Sequence, residues 1–374
     1  MARTFLHYFE PPAASPIPGV TAELDISEIE DAGVREVLQT PGAIYGAWSI
    51  LDTLLTPTGA GTPFIFREPL GQAREVKVAL SGLFGRFVAR AYLERYFNLS
   101  IFAHLGSRII DLDRRRKIGV KRLSRGDLPD WIACASDLSS LTVAEAKGCH
   151  ERNGPTKALN RAWAQAGRID ITVRGKKVTV KRIAIATRWG VASPIPTDAH
   201  LSVRDPVDEG EPLKAEEKDA LLIGVLRLHI ANLIRPLGHG ELASSLCALT
   251  AQPSERRIQE ELRRARTLLD SAPIREMNKG KSVTGLIGGI VTRAGPLADH
   301  RVTPSDQEAL ARINLRPVFV GVDRDVIRLA IDTDLQAVRT HLAQNASSDE
   351  IARHDRAGGW IIPLGEGRQI TDGT

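Results

Sequence analysis

Only three cysteines occur among 374 residues, Cys134, Cys149 and Cys247, and none belongs to a CxxC pair. That excludes a disulfide framework and a thiolate-built zinc site as organising features. No uninterrupted apolar run reaches the ~20 residues that a membrane helix needs. The start of the chain, Met1-Ala2-Arg3-Thr4-Phe5-Leu6, has no signal-peptide core. The expected compartment is therefore the cytoplasm, with no membrane partner. The GxSxG elbow, the HExxH zinc helix and the Rossmann fingerprint are missing. Lys279-Gly280-Lys281-Ser282 ends like a phosphate-binding loop, but Arg275 stands where its first glycine must be. An energy-driven role would have to draw on a partner ATPase.

What the chain does have is an ordinary globular composition, 43% hydrophobic and 25% charged, long enough for two domains. Its charge is uneven. Between Gly85 and Gly190 there are 22 Lys and Arg against 9 Asp and Glu, in a chain whose net charge is only +5. A basic segment of that size suits a polyanion.

Within it lie two short apolar runs with charges set into them, Leu128-Pro129-Asp130-Trp131-Ile132-Ala133 and Leu141-Thr142-Val143-Ala144-Glu145-Ala146-Lys147-Gly148. Period-two geometry puts Glu145 and Lys147 on one face of a strand. If the Asp130 strand pairs beside it, two carboxylates and an ammonium converge. Carboxylates hold a hard divalent cation, and a lysine offsets charge that grows on a phosphoryl group. Glu-x-Lys also occurs at Glu75–Lys77 and Glu216–Lys218, but there it sits in helical patterns with no Pro-Asp strand ahead of it.

After the second run, Thr156 caps a helix to Ala166, closed by Gly167. Lys157, Arg161 and Gln165 recur every four residues on one face of it, and Arg168 follows. Arg114-Arg115-Arg116-Lys117 forms a basic turn with two readings, a solvated surface or a phosphate contact. A long helical pattern from about Gln72 to His104 carries Glu94, either a further metal ligand or a partner for Arg90 or Arg95. Strands are expected at Ser107–Leu112, and at Ile169–Val173 and Val178–Thr187 joined as a hairpin.

Pro129-Asp130 and Glu145-Ala146-Lys147, separated by fourteen residues, resemble the PD-(D/E)xK nuclease superfamily over residues ~76–190. The resemblance implies an α/β (α+β) fold of the restriction-endonuclease-like kind, a mixed central sheet flanked by helices. It implies Mg²⁺ or Mn²⁺ held by Asp130, Glu145 and the carbonyl of Ala146, with Glu94 as a further candidate. Catalysis would fall to Asp130, Glu145, Lys147 and Gln165. Nucleic acid, most readily DNA, would lie along Lys157, Arg161, Arg168 and Arg114, Arg115 and Arg116.

The expected organisation is an N-terminal extension (1–70) packed on a nuclease-like domain (71–192), a Pro- and Asp-rich linker (193–213), and a C-terminal α/β or mostly helical domain (214–374) for recognition or partner binding. The expected function is a metal-dependent deoxyribonuclease, an effector in restriction or anti-phage defence, acting alone or as a homodimer. The competing class is a non-catalytic nucleic-acid-binding or scaffold subunit.

Overall fold

The computed structural model describes residues 2–10, 21–40, 62–63, 65–66, 74–105, 110–135, 137–138, 141–151, 153–191, 196–206, 214–278, 283–292, 295–296, 317–345, 353–354, 357–364 and 369–372. The first elements are β1 (Ala2–Glu10), β2 (Thr21–Asp25), α1 (Ile26–Gln39), β3 (Thr62–Pro63), β4 (Ile65–Phe66) and α2 (Arg74–Tyr96). Then come β5 (Leu99–His104), β6 (Asp111–Asp113), β7 (Ile118–Arg122), β8 (Trp131–Ala135), β9 (Leu141–Cys149) and α3 (Thr156–Ala166). These are followed by β10 (Ile169–Val173), β11 (Lys176–Lys177), β12 (Lys181–Arg188), β13 (Gly190–Val191) and β14 (His200–Arg204). The remainder comprises α4 (Ala215–Ile234), α5 (Gly240–Ala251), α6 (Glu255–Ser271), β15 (Arg275–Asn278), β16 (Val283–Thr292), β17 (Gly295–Pro296) and β18 (Val318–Asp323). It closes with α7 (Arg324–Asp332), α8 (Leu335–Asn345), β19 (Arg353–His354), β20 (Gly359–Pro363) and β21 (Gln369–Asp372).

The fold is mixed α/β, built on a large mixed sheet in the order β2-β1-β14-β12-β9-β8-β5. The β1/β14 and β12/β9 pairs are parallel and the other pairs along this path antiparallel. Side-chain alternation decides which helix covers which face. Ala184 and Ala186 of β12 and Cys149 of β9 meet Ala158, Leu159 and Ala162 of α3. Ile183 and Ile185, one residue out of phase, face the main core instead. On that second face α2 rides against β9 with almost no gap. A Cβ on Gly148 would come within 1.9 Å of the Ser81 carbonyl oxygen, and one on Gly85 within 2.6 Å of the Gly148 nitrogen. Glycine at both places is what lets the helix touch the strand directly after Lys147.

Several expectations need correction. The helical pattern read to His104 stops at Tyr96, where Asn98 turns left-handed (φ 53°), and Leu99–His104 is the edge strand β5. Its run of five consecutive buried residues marks a strand covered on both faces. Of the strand expected at Ser107–Leu112, residues 107–109 lie outside the described residues. The next residues form β6 in a separate four-stranded sheet, β11-β10-β7-β6. The hairpin expected from Ile169 to Thr187 divides between sheets: β10 turns back on β11 and pairs β7, while β12 crosses into the main sheet. Two further stretches whose residue pattern predicts helices, Ala43–Leu55 and Thr303–Ile313, lie outside the described residues.

The stretch 193–213, read as a linker, contains β14, paired between β1 and β12. One apolar core then continues from Phe5 through to Ile361, so packing does not part the chain at that stretch. β1 and α1 are likewise built into the sheet and its helical layer. The C-terminal part pairs helices with a seven-stranded sheet, β19-β20-β18-β16-β15-β21 with β17 on β16. By length and composition Ala215–Leu237 could cross a membrane, but 83% of its apolar window is buried inside the molecule, as in a core helix. Its buried Arg227 donates to the carbonyls of Ala330 (2.9 Å) and Ile331 (3.0 Å), satisfying the end of α7.

Candidate metal centre

The β8/β9 register pairs Trp131 with Ala144, so Asp130 stands opposite Glu145 just past the end of the ladder. There Asp130 is bonded twice to β9, by its amide to the Glu145 side chain and by its carboxylate to the Ala146 main chain. The Asp130 amide donates to Glu145 Oε2 at 2.8 Å, and the Ala146 amide donates to Asp130 Oδ2 at 3.0 Å. Lys147 shares the α3-facing side of β9 with Glu145. Its Nζ donates to Glu145 Oε1 and, at 2.8 Å, to Gln165 Oε1. Gln165 Nε2 in turn donates to the Leu128 carbonyl at 2.7 Å. Asp130 just ahead of β8, Glu145 and Lys147 of β9 and Gln165 of α3 thus form one set, with Asp130 joined to it through main-chain amides. Glu145 is fully buried and the Lys147 side chain is 34% exposed, so the set opens to solvent at its cationic end.

The electrostatics are those of a site short of positive charge. Burial, followed by the neighbouring Asp130 carboxylate, pushes Glu145 well above the ordinary carboxylate range, and Lys147 opposes this only in part. Asp130 is raised too, by burial first, with Arg86 the strongest opposing group. A proton or a cation can relieve two such carboxylates. All the donors on offer are oxygens, which fits a hard divalent ion. The Ala146 amide points toward Asp130, and in a strand the carbonyl of the same residue faces the same side. Among the described residues no group of three or more His, Cys, Asp or Glu is gathered around an ion position. The set here is two carboxylates, with a main-chain carbonyl and solvent or substrate oxygens to complete it.

Glu94 is not part of this set. It pairs with Arg35 at 2.6 Å and Arg90 at 3.1 Å. It also lies eight residues along α2 from Arg86, about 12 Å of helix rise. The acid that does approach Asp130 is Glu36 of α1, which the sequence reading passed over. Glu36 Oε2 accepts from Trp131 Nε1 at 3.1 Å and pairs with His104 at 3.0 Å, while Arg86 lies 3.5 Å from Oε1. Burial alone would raise its pKa. His104, followed by Arg86 and Arg90, overcomes this and holds it at about 2. Occupied by so many donors, Glu36 anchors the Trp131 end of β8 and is not a ligand. The signal for it was present, an acid inside the apolar face Val34, Val37 and Leu38.

Because Glu36 is lowered, it stabilises the fold above about pH 4.5, and that contribution is lost as pH falls toward 2. The maximum is about 3 kcal/mol. Urea unfolding of wild type and Glu36→Gln should therefore differ by about that much at pH 7, and by clearly less at pH 3. An unchanged difference would mean that Glu36 does not carry this ionisation.

The basic residues divide. Lys157 and Arg161 are exposed on α3, on the row that ends in Gln165. Arg168 donates to the Asp127 carbonyl at 2.9 Å, on the loop that leads into Asp130. The Arg114–Lys117 turn lies at the other end of β7 from that loop, about 17 Å of strand away. Arg115 there pairs with Glu255, Arg116 pairs with Asp113 at 2.6 Å, and the Arg114 amide donates to Thr250. Arg114 and Arg115 are thus tied to α5 and α6, and Arg116 to β6, rather than to the carboxylates. Compared with protein-family models, curated proteins and solved structures, the chain gives no match.

Proposed function

We propose that this protein is a metal-dependent nuclease of the restriction-endonuclease-like kind, acting on DNA at Asp130, Glu145 and Lys147. The observation that carries the reading is that Asp130, just ahead of β8, bonds to Glu145 through its amide and to the Ala146 amide through its carboxylate, with Lys147 bonded to Glu145. The order α2–β5–β8–β9–α3–β12 supports it: helix, three strands, helix, strand, with β6 and β7 set aside in the smaller sheet.

Asp130, Glu145 and the Ala146 carbonyl would hold Mg²⁺ or Mn²⁺. When bound, the ion supplies Lewis-acid polarisation of a phosphate oxygen and a more acidic water. Lys147, with its head at the solvent boundary, orients the attacking water and offsets charge developing on the phosphoryl group. Gln165 holds that ammonium in place from α3. Lys157 and Arg161, on the same helix row, take the phosphate backbone.

The test is incubation of supercoiled plasmid and of single-stranded DNA with Mg²⁺ or Mn²⁺, using wild type and Lys147→Ala. Cleavage by wild type alone is the expected result. DNA binding with no cleavage by either protein would favour a scaffold role instead.

A further inference from the structure

The polypeptide entering the candidate centre is not a passive connection. Residues 121–127, the end of β7 and the loop that leads toward β8, are all exposed, yet the loop is held at several points. Arg122 donates to the Ser124 carbonyl at 3.0 Å and to the Gly126 carbonyl. The Leu123 amide donates to the Arg168 carbonyl at 2.8 Å, and Arg168 Nη1 returns to the Asp127 carbonyl. Gln165, the residue that holds Lys147, also holds Leu128. Arg122 through Gly126 line an open concavity of about 510 Å³.

Of the side chains on this loop that make no bond, Arg125 and Leu123 bear on binding. Arg125 is exposed and makes no hydrogen bond or ion pair. Leu123 is 48% exposed, and of the large apolar side chains exposed among the described residues (Leu6, Tyr8, Val78 and Leu123) it alone lies within the basic segment. Leu128 is five residues further along the chain, so Leu123 lies within about 18 Å of the residue that Gln165 grips. That is about half a turn of duplex DNA.

We infer that the Arg122–Asp127 loop is a second nucleic-acid contact, in which Arg125 takes a backbone phosphate and Leu123 presses into the groove of a duplex beside the cut. The inference rests on the reading of the centre as acting on DNA, and it adds a substrate form and two residues. A duplex is favoured over a single strand by side-chain chemistry. Single strands are held by aromatic stacking, and no aromatic ring is presented on this loop. Aliphatic wedges next to arginine are used on duplex steps. A loop tied by its own carbonyls loses little further freedom on binding, which favours a contact made without rearrangement.

The experiment is fluorescence anisotropy of a labelled 20-base-pair duplex, and of its single strand, over a salt series without divalent metal. Wild type, Arg125→Gln and Leu123→Ala are compared, and cleavage of plasmid with Mg²⁺ or Mn²⁺ is run alongside. Both positions are exposed, and circular dichroism checks that the variants fold. Arg125→Gln should lower the slope of log K against log salt by about 1, as loss of one phosphate contact requires. Leu123→Ala should leave that slope unchanged, weaken duplex binding about three- to tenfold, and leave single-strand binding unaltered. An unchanged slope in Arg125→Gln, equal losses on duplex and single strand in Leu123→Ala, or absence of duplex binding by wild type would overturn the inference. Wild type that binds with these signatures and does not cleave would sink the nuclease reading and leave the loop standing. Cleavage with none of the signatures would do the reverse.

Discussion

Lys147→Ala is expected to reduce metal-dependent cleavage by about 10³-fold or more while leaving metal-free DNA binding within about twofold of wild type. Among the described residues the lysine is the one ammonium bonded to the carboxylate set, and two acceptors, Glu145 and Gln165, fix its position. A preorganised charge aimed at developing negative charge is worth about 10²–10³ in rate by itself. Its removal also leaves buried Glu145 without the cation that opposes its rise in pKa, so the carboxylate becomes a poorer ligand as well. On the proposed reading binding depends instead on Lys157 and Arg161, both exposed, which the substitution does not touch. Lys147→Arg should not rescue: a planar guanidinium does not fit the space between Glu145 and Gln165 as an ammonium does. Single-turnover cleavage and anisotropy measured on the same preparations check this. Equal cleavage by wild type and Lys147→Ala would remove the lysine from the chemistry.

The second large effect concerns Glu145 itself. Glu145→Gln should abolish cleavage and also raise the melting temperature of the metal-free protein by a degree or more. In the metal-free state two neighbouring buried carboxylates disfavour each other's ionisation, and replacing one with a neutral isostere removes that cost. Wild type should gain thermal stability on adding Mg²⁺ or Mn²⁺, because a ligand at 100 times its Kd contributes about 2.7 kcal/mol. Glu145→Gln and Asp130→Ala should gain almost none. Differential scanning fluorimetry over a metal series reads all of this. A Glu145→Gln protein that is both less stable without metal and equally stabilised by it would show that the carboxylates are structural.

The side-chain cluster of the candidate centre was legible because its rules are local. Alternation along β9 places Glu145 and Lys147 together, and four-residue spacing on α3 places Gln165 with Lys157 and Arg161. What the sequence left open is which distant elements meet. Glu94 and Glu36 both sit on helices near the core, and only the packing of α1 beside α2 decides that Glu36 reaches Trp131 while Glu94 is taken by Arg35. The basic turn at 114–117 looked free because Glu255, its partner, lies 140 residues further on. The prolines and acids of 193–213 resemble a linker, yet five residues inside it, His200–Arg204, complete the sheet. A strand that short carries too little alternation to stand out from its flanks. The fate of β10 and β12 follows the same logic: both patterns read correctly as strands, but the choice of sheet is settled by pairing with β7 and β9.

The most direct test of the account is a crystal of the protein soaked in Mn²⁺, with diffraction measured for the metal's anomalous signal. The account predicts one strong peak, within about 2.3 Å of a carboxylate oxygen of both Asp130 and Glu145. Well-ordered carboxylates with no peak between them, at a Mn²⁺ concentration that supports cleavage or saturates the thermal shift, would contradict it.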